Sequence, residues 1–159
     1  MANLYVVRGK VNPIGKDRRG LLTPPKQLHA EWVDVKNTSG VNLQMLGTKI
    51  ADHTFNGLCN YQGKRIVYAF PNWIMPAGTT VRIHSGDTVP VNLLPPQDRD
   101  GADWHAFTGR DYVWNNVCGD TVEIVTGDLN VLLDKASYDP RPKEGAILVR
   151  LGNKLIPIQ

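Results

Sequence analysis

Long apolar runs are missing from this 159-residue chain. No span of eighteen apolar residues occurs, which excludes a transmembrane helix of ordinary length. Also missing is any window of twelve or more residues with apolar groups at i, i+3, i+4 and i+7, so amphipathic helices are not expected. No glycine-rich loop stands between a strand and a helix, which removes nucleotide binding by that route. Charge of one sign is scarce: the formal net charge is +3, less than a duplex-binding face normally gathers. Cysteine is limited to Cys59 and Cys118, neither at metal-ligand spacing from another Cys or a His. Met1 to Arg8 carries neither the basic start nor the apolar run of a secretion signal, and the expectation is a cytoplasmic protein. In that compartment the two cysteines are expected as small, partly buried thiols, although their separation in sequence could let them staple two sheets.

What the chain does hold is turn chemistry. Fifteen glycines and eleven prolines with 21% charged residues describe a turn-rich globular protein, long enough for one domain with a full core and too short for two. Leu4 to Val11 reads as a first strand closed by Asn12-Pro13-Ile14-Gly15. Lys16 to Lys26, with Arg18 and Arg19, reads as a solvated basic excursion. In Glu31 to Lys36, Val33 and Val35 share one face and Trp32, Asp34 and Lys36 the other. Leu43 to Asp52 holds an apolar cluster, His53 to Gly63 reads as a connection, and Arg65 to Phe70 alternates again. Thr79 to His84 places Val81 and Ile83 inward and Thr80, Arg82 and His84 outward. Ser85 to Gly109 is loop-like, anchored at its far end by Trp104 and Phe107, and a loop of that length is usually functional or mobile.

The stretch from Arg110 to Gly127 organises the rest. Asn115, Asn116 and Gly119 suit a tight reversal, and Val122 and Ile124 then alternate with Thr121 and Glu123 as in a strand with one buried face. A hairpin connection at Gly127 to Asn130 leads into a strand spanning Val131 to Asp134, and Ser137-Tyr138 closes the periodic part. After Asp139-Pro140-Arg141-Pro142-Lys143, a further hairpin is expected over Ile147 to Leu151 and Lys154 to Ile158, turning at Gly152-Asn153, with Pro157 confining the last strand to an edge.

Strands at this spacing predict an all-β, immunoglobulin-like β-sandwich of two antiparallel sheets with an additional C-terminal hairpin. The domain is expected over residues 1–139 and the extension over 140–159. Several segments taken in order resemble the bacterial lamin tail domain: Glu31-Trp32-Val33-Asp34-Val35-Lys36-Asn37-Thr38, Phe70-Pro71, Pro76-Ala77-Gly78-Thr79-Thr80-Val81, Ile83-His84-Ser85-Gly86, Val113-Trp114-Asn115-Asn116 with Gly119-Asp120-Thr121, and Ser137-Tyr138. Val11-Asn12-Pro13 with Gly15 and Asp17 is similar to that family's first strand and loop. The resemblance covers about Leu4 to Tyr138 and implies an immunoglobulin-like sandwich that docks proteins, with some contact to DNA in nuclear lamins and no active site of its own. Val117 and Cys118 stand where the bacterial pattern usually has one residue.

No catalytic residue, cofactor or metal ligand is assigned from these patterns. The expected function is a non-catalytic interaction or structural module that binds a protein partner or forms a homo-oligomer through sheet edges. The candidates are Trp73 as an exposed aromatic and Ile147, Val149 and Leu151 as an apolar, unpaired strand open to β-augmentation. The alternative is a nucleic-acid-binding accessory domain acting through Lys16, Arg18 and Arg19. A third possibility, metal-assisted hydrolysis, draws on the three carboxylates and one imidazole of Asp98 to His105, where Arg99 opposes a cation.

Overall fold

A computed structural model describes residues 3–16 and 25–158. It is mostly β, 45% strand and 8% helix. Among the described residues twelve strands run in chain order: β1 (Leu4–Lys10), β2 (Trp32–Asn37), β3 (Leu43–Gln44), β4 (Thr48–Phe55), β5 (Tyr61–Ala69), β6 (Ile74–Met75), β7 (Thr80–His84), β8 (Trp104–Phe107), β9 (Asp120–Thr126), β10 (Val131–Tyr138), β11 (Leu148–Leu151) and β12 (Lys154–Pro157). The short α-helices α1 (Pro25–His29) and α2 (Pro96–Arg99) lie in connections.

Ten strands form one large sheet, nearly closed into a barrel, in the order β5-β4-β9-β10-β12-β11-β1-β2-β7-β8, while β3 and β6 pair separately. The ladders are antiparallel except for β10 with β12 and β7 with β8, which are parallel. The antiparallel expectation therefore fails at two joints. The sheet is two four-strand runs joined by the C-terminal hairpin. Its centre is apolar: Val6, Val33, Val35, Ile50, Val81, Val122 and Ile124 are fully or almost fully buried together with Trp114 and Phe70. These are the positions that alternate inward along each strand, so burial of one face is enough to select the register.

The other face of the β1-β2-β7-β8 run is also buried. Asp34, Arg82 and His84, expected in solvent, are 0%, 2% and 0% exposed. The cover is the segment around α2: Asp100 and Gly101 accept hydrogen bonds from Arg82 and Arg8 through their carbonyls, and Asp103 accepts one from the Thr80 backbone. The long loop is thus a lid on the sheet, with β8 as its last part.

The C-terminal hairpin corrects another expectation. β11 pairs with β1 on one side and β12 on the other, and β12 touches β10 at Ser137–Lys154. Ile147, Val149 and Leu151 therefore do not offer an unpaired template. At this joint β1 and β10 both carry bulges, at Val6/Arg8 and Leu132/Asp134. Asp134 accepts the Val6 N–H at 2.8 Å and two bonds from the Arg150 guanidinium, which also donates to the Val6 carbonyl. A side-chain latch replaces the backbone ladder where the two runs meet.

Cys59 and Cys118 are bonded to each other. The bridge ties the tip of the β4–β5 hairpin to the reversal before β9, and the expected pair of free thiols is not found.

Candidate functional site

Two places gather chemistry. The first is the reversal between Tyr112 and Thr121. Gly119 sits there at φ 73°, and a Cβ would fall 2.5 Å from the Tyr138 carbonyl, so only glycine fits. Asp120 closes the turn by accepting the backbone N–H groups of Asn115, His53 and Thr121, and the Tyr138 hydroxyl donates to the Asn115 carbonyl. Burial nonetheless raises the Asp120 carboxyl to about 7, against the pull of its three donors. Burial also pushes the Tyr138 phenol well above its ordinary range.

Beside this turn, Lys16 reaches inward. Its Nζ donates to Glu31 Oε2 at 2.5 Å, to the carbonyls of Trp114 and Val11 at 2.5 and 2.8 Å, and to Asn116 Oδ1 at 3.2 Å. Glu31 is fully buried, and its other oxygen accepts the Ser85 hydroxyl and the Val113 N–H. Burial is the dominant influence on the Glu31 carboxyl and raises its pKa despite Lys16 and these donors. Asn116 donates through Nδ2 to Asn12 Oδ1 at 2.7 Å, and Asn12 donates to the Pro142 carbonyl. A cavity of about 400 Å³ opens onto the cluster, lined by Lys16, Tyr112, Trp114 and Asn116 among others. Lys16, expected on a solvated basic loop, is therefore committed to the interior; Arg18 and Arg19 lie outside the described residues.

The second place is the seam between the two end strands of the large sheet. Tyr68, Phe70, Trp73 and Trp104 form a chain of ring contacts from β5 to β8, with Phe70 stacked on Trp73 at 5.7 Å and Trp73 tilted on Trp104 at 4.4 Å. Aromatic contact bridges the edges where no ladder is formed. Two concavities meet at Trp73 and His105. One, of about 640 Å³, runs along Arg99 to His105; the other, of about 390 Å³, runs between Tyr68 and Phe107. Trp73 is half-buried rather than fully exposed. Beneath the groove, His105 Nδ1 lies 2.8 Å from His84 Nε2, while His84 Nδ1 meets the His29 carbonyl at 2.6 Å. Burial drives the His84 pKa down to about 3 and lowers that of His105 as well.

The Asp98–His105 carboxylates do not converge. Asp98 is buried between Lys10 Nζ and the Trp32 indole N–H, Asp100 is exposed beside Arg99, and Asp103 caps Thr80. Among the described residues no group of three His, Cys, Asp or Glu side chains is placed to hold a metal ion. Sequence reasoning passed over Glu31, Asn116 and Trp104 as site residues. The one local signal was a glutamate heading an apolar strand, since carboxylates are rarely buried without a partner. No family model matches the chain, and no curated protein sequence matches it.

Proposed function

We propose that the protein is a non-catalytic docking module of the immunoglobulin-like, lamin-tail kind, in which the two four-strand runs act as the layers of a sandwich. It takes an extended protein segment, from a second copy or from a partner, at the seam between β5 and β8. The observation that carries this is the pair of end strands flanking an aromatic groove: an end strand presents unpaired backbone groups, and adjoining rings supply side-chain pockets. The resemblance of Leu4 to Tyr138 to lamin tail domains supports the same role. The Cys59–Cys118 bond favours an oxidising compartment over the cytoplasm.

Sedimentation velocity over a range of concentrations, on wild type and Trp73→Ala, tests the self-docking arm. Association that rises with concentration and vanishes in the variant supports it. If wild type stays monomeric, affinity capture from the native host with Trp73→Ala as control bait decides the partner arm. Failure of wild type to retain any protein beyond the control then rejects the proposal.

A further inference from the structure

The Lys16 cluster has the parts of a covalent reaction: an amine in contact with both an amide and a buried carboxyl. We propose that Lys16 and Asn116 join through an intramolecular isopeptide bond, Nζ to Cγ, with Glu31 relaying the protons. This stands apart from the docking function and does not depend on it.

Nζ lies 2.5 Å from Glu31 Oε2 and 3.2 Å from Asn116 Oδ1, so the amide carbon is one carbonyl bond from an atom already in contact. Reactants fixed at contact need no encounter, which is the main obstacle to amine attack on an unactivated amide in water. The Asn116 amide is held from its far side, because Nδ2 donates to Asn12 Oδ1. The carboxyl is fixed as well, with Oε1 bound to Ser85 and Val113 while Oε2 faces the amine. Burial raises the affinity of Glu31 for a proton, which favours its accepting one from Nζ.

The step balances as follows. Nζ passes one proton to Oε2 and attacks Cγ with its free lone pair, forming the N–C bond. The carboxylic acid gives its proton to Nδ2, the Cγ–Nδ2 bond breaks, and ammonia leaves. The remaining extra proton on Nζ returns to Glu31, which ends in the form it held after the first transfer. No oxidant, reductant or other reactant is required. The cavity lined by Lys16, Trp114 and Asn116 gives ammonia a way out. The carbonyls of Val11 and Trp114 oppose the first proton transfer, because they stabilise the ammonium; Glu31 at 2.5 Å must outweigh them.

The experiment is intact mass spectrometry of the folded wild-type protein after its disulfide is reduced, followed by proteolysis and peptide sequencing. The expected result is a deficit of one ammonia, with a branched peptide joining the Lys16 and Asn116 fragments. Lys16→Arg and Glu31→Gln are expected at their full sequence masses. Asn116→Asp is expected to lose one water instead, because its leaving group is hydroxyl. A wild-type protein at full mass overturns the proposal. So does an ammonia deficit confined to a linear peptide, which marks cyclisation of an asparagine on its own backbone, or a water deficit joining Lys16 to Glu31. These wild-type measurements decide the matter even if a variant fails to fold.

Discussion

The two halves of the large sheet use the same alternating strands and end in opposite conditions. In the β1-β2-β7-β8 half both faces are covered: β2 and β7 are buried almost throughout, and the second face holds Asp34 between Arg8 and Arg82, with the Arg82 guanidinium 3.6 Å from the centre of the Trp32 ring. In the β5-β4-β9-β10 half the outer strand β5 is largely exposed, and its charges pair at the rim, as Lys64 does with Glu123 and Arg65 with Asp52. A lid turns a polar face into a buried ionic layer. Charges there are stable only as a complete set, because each is costly to bury alone.

The sharpest way to break this contrast is Asp34→Ala, which leaves two arginines facing each other under the lid. It is expected to cost about 3–5 kcal/mol in urea unfolding, the range for removing one member of a buried pair. The exposed half adds a covalent tie, Cys59–Cys118, to the ion pairs at its rim. Cys59→Ser with Cys118→Ser is expected to cost roughly 2–4 kcal/mol by the same measurement.

Protons sharpen the comparison further, since burial strongly shifts His84 in one half and Asp120 in the other. His84, in the covered half, is held down to about 3 from an ordinary 6.5, so the unfolded chain binds a proton that the fold refuses. Its contribution to stability is complete above pH 6.5 and is lost as pH falls toward 3. Asp120, in the other half, is raised to about 7 from 3.8. Its contribution is complete below pH 3.8 and is lost as pH rises through 7. The two oppose each other between these limits, and the net slope there is expected to be smaller than either alone. NMR titration checks this residue by residue: His84 ring signals unmoved from pH 8 to 5, and the Asp120 carboxyl carbon titrating near 7. The smallest expected effect is Lys64→Ala on the exposed rim, below about 1 kcal/mol by thermal or urea unfolding, since Glu123 keeps His53 as a partner.

Much of the sheet was legible in the chain. Val33, Val35, Val81 and Ile83 point inward as their alternation requires, and Gly152-Asn153 turns the last hairpin. The polar, glycine-bearing stretch His53 to Gly63 has the composition of a connection, but strand pairing continues to Phe55 and resumes at Tyr61. Helices α1 and α2 span five and four residues, too few for a period to show. What escaped was mostly non-local. Nothing near Asp34 or Arg82 says that residues around α2, some fifteen or more positions away, will cover them. Lys16 sits beside Arg18 and Arg19 and shares their look of a solvated cluster; its partners Glu31, Trp114 and Asn116 come from other parts of the chain. The cysteines are 59 residues apart, a separation that says nothing by itself about whether they meet.

The first strand takes one of its neighbours from β11, the eleventh strand in chain order: Arg8 and Gly9 lie opposite Val149 and Leu148. During synthesis that neighbour emerges after β1 to β10, and β1 waits with one flank open until it does. Pairings over such distances form slowly, so this flank is the place where a nascent or truncated chain is most exposed to mispairing with its copies.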